Sequence, residues 1–274
     1  ARGPFTPDLM VYAVDREGGL RHAEHVVAPY PAMVHDFVVT RGHVILPIFP
    51  LTGSMERATS GRPAYAWEPA LGTHIGIMAR GGAGAASLRW FRGDPCYVFH
   101  PVNAFDTDDG KVVCDLMKYP VAPLFPLPDG RPSSDKPPVA RLVRWTFDLK
   151  GTGDGYIERE LADVVGEFPR LDERHAMLPY RHAYLNAAPV TDAARGRDAR
   201  AGLAHVDLAD GQLAQWQPPM GDYCGEPVFV ERHAGAAEGD GWLLSVIWRG
   251  EENRSDLAVF DAQRRETRVS LFRI

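Results

Sequence analysis

Five times along this chain an apolar residue is followed by Asp and then by a turn. The pairs are Val14-Asp15 ahead of Gly18-Gly19, Phe105-Asp106 ahead of Gly110, Phe147-Asp148 ahead of Gly151, Val206-Asp207 ahead of Gly211, and Phe260-Asp261. Most are flanked by β-prone runs, such as Leu9 to Val14 before the first and Lys111 to Cys114 after the second. Asp hydrogen-bonds its own backbone and Gly accepts a positive φ, so Asp then Gly between such runs is hairpin chemistry. The last four pairs recur at intervals of 42, 59 and 54 residues, about what one four-stranded propeller blade consumes. The pattern predicts an all-β chain and suggests a β-propeller; taken alone, it is met as well by an irregular β-sandwich.

Further strands are expected at Phe37-Thr40, Val44-Leu46, His74-Met78, Tyr97-Phe99, Val228-Val230 and Trp242-Trp248, which are short, β-branched or aromatic and bounded by Gly or Pro. No segment carries a long 3.6-residue apolar period with caps at both ends. The 27 glycines and 23 prolines fit many turns and few helices. Arg131 to Pro138 and Pro189 to Gly202 read as exposed loops, neither long enough to divide the chain into domains.

With 45% hydrophobic and 24% charged residues the chain can bury a sizeable core. A net charge of −6 and the absence of any basic run argue against a nucleic-acid partner and favour a small-molecule one. Cys96, Cys114 and Cys224 form no CxxC pair, which fits a reducing, cytoplasmic setting. No run approaches 18 apolar residues, so a soluble protein is expected, with room left for a weak peripheral membrane contact. The sequence leaves the oligomeric state open.

Common catalytic signatures are absent: no GxSxG, no GxxxxGK[ST], no HExxH and no complete GxGxxG. Gly151-Thr152-Gly153-Asp154-Gly155 reads as a turn, and Asp106-Thr107-Asp108-Asp109-Gly110 as a hairpin tip without the spacing or Glu of a calcium loop. His22 and His25 could share a metal, but their surroundings read as solvated strand.

Two histidines interrupt apolar runs: His35 in Pro31-Ala32-Met33-Val34-His35-Asp36-Phe37, and His100 in Tyr97-Val98-Phe99-His100-Pro101-Val102-Asn103-Ala104-Phe105. Singly, each fits a hydrogen-bonded core residue. Their settings, however, resemble the second and third iron-histidine motifs of the carotenoid cleavage oxygenases, the family that includes bacterial lignostilbene dioxygenases. Glu167-Phe168-Pro169-Arg170-Leu171-Asp172 with Pro179-Tyr180-Arg181 resembles that family's acidic EFPR-type segment, and Gly225-Glu226-Pro227-Val228-Phe229-Val230 its EPxFV segment. The four motifs stand in the family's order.

The resemblance implies a seven-bladed β-propeller with a single Fe(II) on its axis, held by four histidines, and no organic cofactor. His35 and His100 would be two metal ligands. Glu167 and Glu226 would be buried carboxylates accepting hydrogen bonds from ligating imidazoles, Glu167 from His100 and Glu226 from a histidine not in this sequence. The family's first and fourth histidines are not found. The whole chain, residues 1–274, is therefore expected to be a propeller region lacking an N-terminal part and the last C-terminal segment. Asp106 stands where the family usually has Glu, and His182 where it usually has an aromatic residue. The implied reaction splits a C=C bond with dioxygen into two carbonyl products, on a phenolic stilbene first and an apocarotenoid second. A metal-free propeller binding module, or a polyene-ester isomerase or hydrolase of the same family, are the other classes the sequence admits.

Overall fold

The computed structural model describes residues 5–188, 202–263 and 268–273. It is built of antiparallel strands, and among the described residues the only α-helix is the single turn Met55–Thr59, capped by the Ser54 side chain. The chain opens with a hairpin, β1 (Asp8–Val14) and β2 (Leu20–Val27). A four-stranded sheet follows in chain order: β3 (Val38–Val39), β4 (His43–Ile48), then, after a small ribbon of β5 (Leu51–Gly53) and β6 (Tyr65–Trp67), β7 (Thr73–Ala79) and β8 (Arg89–Gly93).

The next ladder is continuous over seven strands: β9 (Tyr97–Asp106), β10 (Lys111–Tyr119), β11 (Arg141–Asp148), β12 (Ile157–Leu171), β13 (His182–Ala188), β14 (Gly202–Asp207) and β15 (Gln212–Trp216). Its length comes from β12, which changes partners midway. Ile157 to Glu160 pair with β11, Val165 pairs both with Arg141 of β11 and with β13, and Gly166 to Leu171 pair with β13 alone. The strand thus ends one four-stranded set and begins the next. A last set comprises β16 (Tyr223–Cys224) and β17 (Val228–Glu231), both pairing with β18 (Gly241–Arg249), then β19 (Arg254–Asp261) and β20 (Arg268–Arg273). First strands of successive sets lie against one another, β3 on β9, β9 on β12 and β12 on β17. That is the arrangement of propeller blades, and it gathers the four motif segments on one side.

The Asp-turn pattern holds with one correction. Asp148, Asp207 and Asp261 each end the third strand of a set, and each accepts from turn amides through Oδ1: Lys150 and Gly151, Ala209, and Gln263. Asp15 does the same for Glu17 and Gly19 at the end of β1. The intervals of 59 and 54 residues are therefore blade repeats. The interval of 42 is not, because Asp106 ends a first strand of the same set whose third strand ends at Asp148. Its carboxylate leaves its own turn to Thr107, whose hydroxyl accepts from Lys111 N at 3.0 Å. Asp106 instead accepts from Thr40 Oγ1, Gly42 N and His43 Nδ1 at 2.9, 2.9 and 2.6 Å, tying β9 to the β3–β4 hairpin of the preceding set.

The largest core cluster runs from Ile45, Phe49 and Trp67 through Phe91 and Tyr97 to Trp145, Phe147 and Leu185, so it is shared by three successive sheets. Burying such side chains contributes about 1.5–3 kcal/mol each. One charge is embedded in it: Asp115 on β10 is fully buried, gripped by Arg144 Nε and Nη2 at 2.7 and 2.8 Å and by the Tyr180 hydroxyl at 2.8 Å. Asn103 carries the β9 motif outward, donating to His175 O and Leu178 O and accepting from Met177 N. Of the two predicted loops, Arg131 to Pro138 is partly exposed and flanks a cleft; the second lies outside the described residues except for Gly202, which opens β14. His22 and His25 do not converge: each pairs with its own carboxylate, Glu24 and Asp8.

Candidate metal centre

His35 sits three residues before β3, on a run pinned by the Met33 N to Leu51 O hydrogen bond and the Ala32–Thr52 bridge. His100 lies on β9 at a β-bulge: Leu116 faces Pro101 but Lys118 faces Val98, so β9 has one residue more than its partner. Bulges re-aim a side chain that strict alternation would send elsewhere. The two imidazoles, one from the segment leading into β3 and one from β9, meet edge to face with ring centroids 5.2 Å apart. Phe99 completes the contact, 5.0 Å from the His35 ring.

Glu167 lies beside a second bulge. On β12 its partner is Asn186, yet Arg170 faces Tyr184, so three steps on one strand match two on the other. Gly166 permits the close approach there, since a Cβ would stand 2.5 Å from Asn186 O. The Glu167 side chain is 1% exposed and its Oε2 lies 2.6 Å from His100 Nδ1. A carboxylate only accepts, so Nδ1 carries the hydrogen, and the neutral ring keeps its free lone pair on Nε2. That hydrogen bond raises the pKa of His100 above its usual value, against the opposing effect of burial. Glu167 Oε1 is buried without a partner.

Glu226 departs from expectation. The segment is held in place by Gly225 N to Val246 O at 2.7 Å and Ser245 Oγ to Gly225 O at 2.9 Å. Its carboxylate, however, is 44% exposed and accepts from Arg170 Nε at 2.9 Å. It is therefore neither buried nor bonded to an imidazole of this chain. The apolar neighbours do not bury it, since β17 exposes Val228 as well.

The donor set suits a transition metal in type: two imidazoles at ring-contact distance, one of them oriented by a buried carboxylate that fixes its tautomer. It is incomplete in number. Among the described residues no group of three or more His, Cys, Asp or Glu is placed to hold an ion, and the His35 side is exposed. Two aromatic neighbours went unread as site residues in the sequence, Phe99 and Phe168; the latter lies 5.1 Å from the His100 ring. The signal was present, since each adjoins a motif residue.

Beside the pair opens a cleft of about 940 Å³. Phe99, Tyr119, Phe125, Val165 and Tyr223 line it together with the proline-rich segment between β10 and β11. Phe99 and Gly166, the chain neighbours of His100 and Glu167, line the cleft, whereas His35, His100 and Glu167 themselves do not. Its size and lining suit a small, mostly apolar ligand. No helix of the described residues is long and apolar enough to cross a membrane.

Comparison with known proteins places the chain in a family. The chain is 37% identical to isoeugenol monooxygenase of Pseudomonas nitroreducens over 278 residues, covering 96% of this chain and 56% of that protein. It is 31% identical to lignostilbene-alpha,beta-dioxygenase isozyme III of Sphingomonas paucimobilis, again over 96% of this chain and 56% of the relative. The crystal structure of Pseudomonas brassicacearum lignostilbene dioxygenase superposes with a TM-score of 0.91 at 33% identity, over 100% of this chain and 59% of the other. The chain thus spans a little over half the length of these relatives. Residues 2–273 match the family described as "Retinal pigment epithelial membrane protein", and with four of its motifs converging in space, the chain belongs to this family, that of the carotenoid cleavage oxygenases.

Proposed function

We propose that this chain is part of a non-haem Fe(II) dioxygenase that cleaves the C=C bond of a small phenolic alkene, a hydroxystilbene or propenylphenol before an apocarotenoid. The observation that carries the reading is the convergence of His35, from the segment leading into β3, and His100, from β9, with His100 held by the buried Glu167. The names of the relatives, isoeugenol and lignostilbene oxygenases, support the substrate class. In this reading His35 and His100 are two ligands of one ferrous ion, and a longer parent chain supplies the others. Iron, when bound, supplies the activation of dioxygen that the reaction requires.

This chain's own residues do the rest. Glu167 keeps the hydrogen on His100 Nδ1, so that Nε2 presents its lone pair. The cleft beside the pair takes the alkene, and its apolar wall of Phe99, Phe125 and Val165 excludes water from the reacting double bond. The chemistry balances without a reductant: the C=C bond breaks, two C=O bonds form, and both atoms of dioxygen end in the two carbonyl products. Glu226 awaits an imidazole of the parent chain while Arg170 neutralises its charge.

The test is oxygen uptake by the full-length protein on a hydroxystilbene. Uptake with two aldehydes in equal amount is expected, and abolition in His35→Ala and His100→Ala variants that still fold. Release of an alcohol from a retinyl ester, with no oxygen consumed, would transfer the protein to the isomerase or hydrolase class.

A further inference from the structure

Phe168 adopts a conformation that its residue type and its neighbour both disfavour. Its φ is +53°, in the left-handed region that costs a non-glycine residue, and Pro169 follows it. Such strain persists only where the surroundings enforce it, and it gathers at functional positions. Here it has a visible consequence. The turn at Phe168 folds its own amide back onto the preceding side chain, and Phe168 N donates to Glu167 Oε2 at 2.9 Å. The same oxygen accepts from His100 Nδ1 at 2.6 Å, while Oε1 has no partner. Two donors therefore fix one oxygen of a carboxylate that nothing else holds. The bulge between Glu167 and Arg170 is the same event seen in the ladder.

We propose that Phe168 is a positioning residue: its left-handed backbone locks Glu167 Oε2 onto His100 Nδ1 and so sets the tautomer that leaves Nε2 free to bind metal. The inference rests on the reading of His100 as a ligand, but its mechanism is a property of the apoprotein. The ring of Phe168, 5.1 Å from the imidazole and inclined by 36°, shields that hydrogen bond without making it. Backbone and ring can thus be separated by substitution. Glycine and asparagine tolerate a positive φ and retain the amide donor, whereas a β-branched residue does not accept this conformation.

The experiment is long-range 15N–1H correlation of the histidine rings in metal-free protein, at a pH where the ring is neutral, with the His100 signal identified by its loss in His100→Ala. Wild type is expected to show one Nδ1–H tautomer at His100. Phe168→Gly and Phe168→Asn should keep that signature, and Phe168→Ile should lose it, both ring nitrogens shifting towards averaged values. A single Nδ1–H tautomer in a folded Phe168→Ile chain would overturn the proposal, as would averaged shifts in Phe168→Gly or Phe168→Asn. Should Phe168→Ile fail to fold, the Gly and Asn variants decide by the same criterion. Because no metal is present, these spectra stand apart from the iron reading, which fails separately if the full-length protein binds none.

Discussion

A metal-binding imidazole commonly has its other nitrogen held by a partner, and at His100 Nδ1 is held by a carboxylate almost without solvent contact. Replacing Glu167 by Gln keeps the shape and removes the charge. The affinity of the full-length protein for Fe(II) should fall by about 10- to 100-fold, measured by competition with a chelator; an unchanged affinity would remove Glu167 from the site. The same pair carries a pH signature. The hydrogen bond to Glu167 raises the His100 pKa above 6.5, so the fold favours the protonated ring. That contribution is complete below pH 6.5 and fades as pH rises through the raised value. Urea midpoints of wild type and Glu167→Gln should therefore lie farthest apart in mild acid and draw together in mild alkali; a gap that widens with pH would contradict the assignment. His35, His100 and Glu167 were legible in the sequence because each sits inside a motif with a characteristic order. The left-handed turn at Phe168 was not, since it is a backbone property that Phe, followed by Pro, gives no reason to expect. Nor was the partner of Glu226, because ion pairing with Arg170 depends on how two sheets face each other.

At the scale of elements, what places the site is the passage from one sheet to the next. β12 leaves β11 and joins β13 within a single strand, and the bulges at His100 and Glu167 rotate both side chains towards the same point. Asp106 fixes the neighbouring first strands relative to each other through Thr40, Gly42 and His43. Burial alone would raise its pKa, but these hydrogen bonds hold it below the usual carboxylate range. Asp106→Ala should destabilise the chain by about 2 kcal/mol, within the range of a lost charged hydrogen-bond cluster, read as a lower urea midpoint. An unchanged midpoint would show that the β3–β4 hairpin docks without it. The hairpins themselves were readable from Asp and Gly at the turns, because those residues act locally. The assignment of Asp106 to a blade repeat failed for the complementary reason: its partners are some sixty residues away, and no local pattern announces them.

Across the whole molecule, apolar surface marks where the described sheets end. On the last set, Tyr223, Val228, Val230, Val246, Trp248 and Phe272 are all exposed, and cross-strand pairing puts them on one face. At the other extreme the β1–β2 hairpin exposes Tyr12, Val14, Leu20 and Val27. A protein rarely leaves contiguous apolar surface of this kind to water, and the chain spans 56% of the isoeugenol relative. The 274-residue chain by itself should bind an apolar dye strongly, and Val230→Lys with Val246→Lys should reduce that fluorescence; no difference would mean the dye reads another surface. The all-β class and the propeller-like succession of sheets were legible from turn spacing and motif order together, whereas the number of sheets was not, because those two signals fix the order of sheets and not their count. The account stands or falls on whether the two histidines share one ion. Metal analysis of the full-length protein after anaerobic loading with Fe(II) decides it: about one iron per chain is predicted for wild type and a loss of most of it in both His35→Ala and His100→Ala, whereas full iron retention in either folded variant would contradict the central claim.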